Sequence, residues 1–232
     1  MGRSRKSQWR VRLIAALLLA AMVGAAAVWW HSRHWKPERT AFPVQGALVG
    51  ERDGAVDLAA LRSIGADFVY IEASSGASGR DTQLGRNLAE AEAIALPHGV
   101  LHAWDPCVDA DVQAANFVTI VPRDAQMLPP AISLEATAES CGDPVREAGM
   151  ESELTTFINQ VESHVGQPVV LKVSPAFEAR YGIAMRIDRN LWLERDWMQP
   201  GYAGRPWTLW TANGKFSQSE IDEPLRWVVV QP

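Results

Sequence analysis

Short β-branched and aromatic runs alternate with stretches of helical periodicity, and that alternation constrains the fold of this chain more than any other feature. Asp67–Ala73 (DFVYIEA) reads as a strand, as do Gln45–Val49, Gly99–Trp104, Leu128–Ala136 and Pro168–Ser174. Between them Asp57–Ile64, Thr82–Ala95, Asp111–Ile120 and Glu151–Val165 place apolar residues at helical spacing. Asp57 fits an N-cap, and Pro175–Tyr181 fits a helical turn. Strands separated by helices form βαβ units with a parallel sheet. Asn190–Glu194, Trp207–Thr211 and Arg226–Gln231 are three further strands with little helix between them. Eight strands whose helices fade out in the last third predict an irregular (β/α) TIM-like barrel. The functional groups of such barrels stand at the C-terminal ends of the strands. That rule points to Glu72, Trp104, Asp105 and Glu135, and to the tips of the tryptophan-bearing late strands.

The first 39 residues differ from the rest. They hold eight Lys or Arg and one acid, Glu38. Leu13 to Trp30 is uncharged and just long enough to cross a bilayer as a helix, with Arg3, Arg5, Lys6, Arg10 and Arg12 before it. Trp29 and Trp30 close it where an interfacial aromatic belt would lie. The reading is a basic tip and signal anchor over residues 1–30, a tether over 31–42 and one domain over 43–232. The positive-inside rule keeps the N-terminus in the cytoplasm and puts the barrel in the periplasm or extracellular space. A cleaved signal peptide is the alternative, since Ala25–Ala27 offers small residues.

Beyond residue 39 the chain carries 14 basic and 26 acidic side chains, a balance that opposes nucleic acid as a partner. No zinc-type cysteine spacing and no glycine-rich phosphate loop occur. Cys107 and Cys141 each follow a predicted strand. If those strands are neighbours in a parallel sheet, both loops emerge at one end and a disulfide is feasible; two free buried thiols are the alternative.

The stretch LPPAISLEA, Leu128–Ala136, places Ser133 and Glu135 two positions apart, hence about 7 Å apart on one face of a strand. That spacing suits a pair of acids flanking a sugar bond, yet the first is a serine. This stretch is one of several, in order, that resemble the glycoside hydrolase family 25 lysozymes, the Chalaropsis-type muramidases. DGAVDLAALRSIGADFVYIEASSG resembles the family's opening turn, helix and strand; GVLHAW and QAANF resemble its next strand and helix. LPPAISLEA resembles its Leu-Pro-Pro-x-x-Asp-x-Glu strand, and NLWLE and PWTLWTANG its late tryptophan-bearing strands. The likeness spans about residues 45–231.

The resemblance implies a barrel that needs no cofactor or metal and acts on peptidoglycan. It also exposes what is missing. The family's first-strand Asp falls on Leu48, the Asp of its Asp-x-Glu pair on Ser133 and its late Asp near Arg226. Glu135 alone remains, in the place of the general acid, so weak or lost hydrolysis of the MurNAc-β-1,4-GlcNAc bond is expected. Glu72, where the family usually has lysine, is a candidate second carboxylate. Ser133, His102, Trp104, Asp105, Tyr70, Trp192 and Trp210 are candidates for substrate contact, the tryptophans because flat aromatic faces suit sugar rings. The implied protein is a monomer held to the membrane through residues 13–30; a non-catalytic platform binding glycan or protein is the alternative.

Overall fold

The computed structural model describes residues 5–142 and 144–232. Its strands are β1 (Gln45–Val49), β2 (Phe68–Ser75), β3 (Gly79–Arg80), β4 (His98–Ala103), β5 (Ala131–Leu134), β6 (Val170–Val173), β7 (Asn190–Glu194), β8 (Leu209–Phe216) and β9 (Leu225–Val230). Its helices are α1 (Arg5–His34), α2 (Leu58–Ser63), α3 (Leu84–Ala93), α4 (Ala110–Ile120), α5 (Pro144–Val165), α6 (Pro175–Tyr181) and α7 (Ile183–Arg186). All strands except β3 close into an eight-stranded barrel; β3 forms a short hairpin on the end of β2. Seven barrel strands run parallel, whereas β9 lies antiparallel between β8 and β1 and closes the ring. No long helix intervenes between β7, β8 and β9, which is why the last closure can be antiparallel.

Two layers of side chains fill the barrel. The lower is apolar: Leu48, Phe68, Tyr70, Leu101, Ala131, Val170, Trp192, Leu209 and Val228 pack as one cluster. Side chains two positions apart share a face of a strand. The next layer toward the mouth is therefore Gly50, Glu72, Ala103, Ser133, Lys172, Glu194, Thr211 and Arg226. Outside the barrel, a larger core joins the strands to the helices. Asp57 caps α2 by accepting from the Ala60 N–H.

Some boundaries differ from the sequence reading. The strand expected over Leu128–Ala136 is only Ala131–Leu134, because Pro129 and Pro130 offer no N–H to the ladder. Glu135 thus stands one residue past the strand. The strand expected over Trp207–Thr211 starts at Leu209, where pairing with β7 begins, and continues to Phe216 against β9.

α1 runs four residues past Trp30, is exposed over residues 9–31, and is long and apolar enough over Trp9–His34 to cross a membrane. Arg3 lies outside the described residues. The expected tether is no loose linker. Trp35 packs on the outer core, the Gln45 side chain donates to the Pro37 carbonyl at 2.9 Å, and Lys36 Nζ donates to the Ile64 carbonyl at 2.7 Å.

Candidate active site

The barrel mouth holds two clusters of charge. In the first, Lys172 reaches up from β6, its side chain only 3% exposed, and bonds Glu135 Oε1 at 2.7 Å and Glu194 Oε2 at 2.9 Å. Ser133 Oγ donates to the same Glu135 oxygen at 2.9 Å. In the second, Arg226 enters from β9, with Leu48 of β1 opposite it in register. Its guanidinium bonds Asp53 Oδ2 at 2.7 Å and also Glu72 Oε1. Arg52 reaches Glu72 Oε1 from the other side at 2.7 Å. Glu72 lies directly over Gly50, where a Cβ would come within 2.3 Å of its Oε2. The Gly50 N–H donates to Asp53 Oδ2 at 2.8 Å, fixing the turn that carries both Arg52 and Asp53.

These surroundings push the carboxyls in opposite directions. For Glu135 partial burial works upward, but the Lys172 ammonium, with the Lys172 and Ser133 hydrogen bonds, outweighs it and holds the group below the usual carboxylate range. Burial pushes Glu72 up to about 7, with Arg52 opposing and Asp53, Asp81 and Glu135 adding to the rise. Burial likewise pushes Asp53 up to about 6, against the Gly50 hydrogen bond and Arg52. Arg226, in direct contact with both carboxylates, favours their charged forms. At neutral pH the cluster therefore keeps Asp53 ionised and Glu72 close to its titration.

A groove crosses the mouth in two lobes that share Arg52 and Glu135. The larger, about 650 Å³, runs past Glu72, Ser133 and Trp104 to Arg80 and Asp81 on the β2–β3 hairpin side. The smaller, about 380 Å³, is bounded by Lys172, Glu194, Arg195, Asp196, Gly214 and Arg226. Trp104 borders the larger lobe but is only 4% exposed and packs on Phe157 in the outer core; its buried ring N–H has no hydrogen-bond partner among the described residues. A disulfide, Cys107–Cys141, ties the loop after β4 to the turn after β5.

Glu135, Glu72, Ser133 and Trp104 thus meet at one groove, while other residues expected there lie elsewhere. Tyr70 and Trp192 pack against each other in the apolar layer below, with Tyr70 Oη bonded to the Pro129 carbonyl and Trp192 Nε1 to Thr211. Both lie two positions before a charged mouth residue, which places them one layer too deep. Trp210 faces outward from β8 into the outer core, and its ring N–H donates to the Arg195 carbonyl. His102 is fully buried between β4 and the helices, bonded to Ser74 and Gln113. Asp105 holds the following loop by accepting from the Cys107 N–H.

Sequence reasoning missed Lys172, Asp53, Arg52 and Glu194. Lys172 had left a signal, a single charge inside the apolar strand PVVLKVS. Glu194 sits at the tip of NLWLE, a late strand end that the strand-end rule indicated without singling out the residue. Among the described residues no cluster of His, Cys, Asp and Glu could hold a metal ion.

Comparison with known proteins agrees with this architecture. Residues 49–218 match the profile described as Glycosyl hydrolases family 25. No curated protein matches the chain. Among solved structures, a family 25 glycosyl hydrolase from Bacillus anthracis superposes with a TM-score of 0.77 at 23% identity, covering 86% of this chain and 93% of that one. A bacterial lysozyme from Streptomyces coelicolor gives 0.71 at 18% identity, covering 82% and 92%. The spore cortex lytic enzyme SleM of Clostridium perfringens gives 0.68 at 17% identity, covering 84% and 69%.

Proposed function

The chain belongs to glycosyl hydrolase family 25, and from that premise we propose that it is a membrane-anchored envelope protein that binds peptidoglycan in its mouth groove and hydrolyses it weakly or not at all. One observation carries the second half of this reading: the Lys172 ammonium 2.7 Å from Glu135. A general acid must hold its proton near the working pH, and Glu135 is held ionised instead. Where a second carboxylate would stabilise the oxocarbenium-like charge, Ser133 offers only a hydroxyl. By analogy with removed oxyanion-hole donors, loss of one such partner lowers the rate about 10²–10³-fold. Leu48 and Arg226 supply no carboxylate either.

Support for binding comes from the open groove and the mixed charges along both lobes. α1 is the basis for anchoring and for a barrel outside the cytoplasm. The decisive test pairs two assays on the purified protein. It should sediment with insoluble peptidoglycan yet leave zymograms and turbidity unchanged. Strong lysis that Glu135→Gln abolishes would overturn the weak-hydrolysis reading, and absence from the pellet would overturn the binding one.

A second reading has its own observation. Glu72, pushed up to about 7, and Glu135, pushed down, are two carboxylates of one groove with separated proton affinities, the pattern of an acid paired with an anion. Glu72 would then hold the proton and Glu135 the charge. Slow lysis abolished by Glu72→Gln supports this reading, and lysis indifferent to that change excludes it.

A further inference from the structure

Most tryptophans of the barrel domain are hidden, but one is presented to solvent. Trp104, Trp192, Trp207, Trp210 and Trp227 are buried, whereas Trp197 is 52% exposed and its neighbour Met198 54%. Trp197 also holds a left-handed backbone, φ 64°, which a bulky side chain rarely adopts unless its surroundings impose it. Those surroundings are specific: its N–H donates to the Ala212 carbonyl at 2.9 Å, and its ring Nε1 donates to the Ser32 carbonyl at 3.2 Å. The corner is turned outward and pinned to the last turn of α1.

That last turn is itself built into the barrel. A helix leaves its final carbonyls without partners of its own. Here Asn213 Nδ2 donates to the carbonyls of Ser32 and Trp35, both at 2.8 Å, and the Ser217 N–H donates to that of Arg33 at 2.8 Å. Ser32 lies three residues past Trp29, about 4.5 Å along the helix axis. With Trp29 and Trp30 at the membrane–water boundary, Trp197 falls at headgroup depth. The same corner closes one end of the groove, since Asp196 and Gly214 line the lobe that holds Lys172.

We propose that the Trp197–Met198 corner is a lipid contact, seated in the headgroup layer beside the end of α1 and holding the Lys172 lobe of the groove at the bilayer surface. The inference rests on reading α1 as a membrane anchor. A lobe so held opens onto glycan carried at the membrane surface rather than onto strands deep in the wall.

The test uses the full chain in phosphatidylcholine–phosphatidylglycerol vesicles, with an environment-sensitive NBD fluorophore on Met198→Cys or, for comparison, on Met185→Cys. Met185, on α7, is 72% exposed. The native cysteines are paired with each other, so the label goes to the introduced thiol. With doxyl-labelled lipid, the 198 probe should shift to the blue and lose emission, while the 185 probe keeps its emission. If the protein floats with the vesicles but both probes stay aqueous, the anchor stands and the lipid contact is refuted. If the protein does not float, the anchor reading falls and takes this inference with it.

Discussion

The two halves of the barrel mouth are built from the same parts with opposite consequences. Each sets one strand-borne cation between two carboxylates: Lys172 between Glu135 and Glu194, Arg226 between Asp53 and Glu72. The difference lies in what opposes burial at each acid. Glu135 stands past the end of β5 with its side chain 56% exposed; burial still works upward there, but the Lys172 ammonium and the hydrogen bonds from Lys172 and Ser133 outweigh it. Asp53 and Glu72 are 6% and 25% exposed, so desolvation outweighs the cations and their affinities rise. Ion pairing alone therefore does not tell which carboxyl is the acid; the balance of burial against cations and hydrogen bonds does.

The sharpest way to break this comparison is Arg226→Met. It leaves the buried Asp53 without its cation and the part-buried Glu72 with Arg52 alone, a change expected to destabilise the fold by about 3 kcal/mol at pH 8. Denaturant unfolding at pH 5 should show a smaller loss, because Asp53 and Glu72 can then take up protons. A loss that is small, or equal at both pH values, would mean that the two halves do not differ as described.

Stability against pH separates the halves by sign. The raised Glu72 carboxyl contributes stability that is complete below its unfolded value of about 4.5 and is lost as pH rises toward about 7. The lowered Glu135 contributes stability present above that unfolded value and lost only as pH falls through its depressed folded one. Glu72→Gln should therefore flatten the stability profile between pH 4.5 and 7 by about 1–2 kcal/mol, a figure reduced from the full shift because Arg226 favours the charged form. An unchanged slope would show that Arg226 holds Glu72 fully ionised.

Much of this was legible in the sequence, and the illegible part has one cause. Alternating strands and helices gave the barrel, the strand-end rule gave Glu72 and Glu135, and the order of family-like segments gave the kinship. Position along a strand says which face a side chain takes but not how deep in the barrel it lies. Tyr70 and Trp192 were thus expected at the groove, when each sits a layer beneath a charged residue of its own strand. Asp53 and Arg52 escaped notice because they belong to a turn, Glu51–Asp53, that only the closed barrel brings over Glu72. Trp210 and His102 had the composition of ligands of sugar but the direction of core residues. A strand that pairs on both sides has to present alternate side chains to the helices.

Lys172→Met is the smallest of these effects and the most direct probe of the function. Removing the ammonium takes away the cation that Glu135 and Glu194 share, but both reach water, Ser133 still donates to Glu135, and the buried lysine no longer has to be desolvated. The net change in stability should be only about 1 kcal/mol, far from the Arg226 result. The proton affinity of Glu135 should respond more clearly. With its cation gone, burial and the negative Glu194 both work upward, so its carboxyl should titrate above its value in the native protein, as carbon NMR of labelled glutamate would record. If that rise brings even slow lysis of peptidoglycan, the lysine is what silences the retained acid. If Glu135 titrates upward and the groove stays inert, the missing charge at Ser133 is the deeper lesion, and adding Ser133→Asp to the lysine variant is the next step. A carboxyl that does not move at all would show that Lys172 spends its charge on Glu194, and the contrast between the two halves would then rest on Arg226 alone.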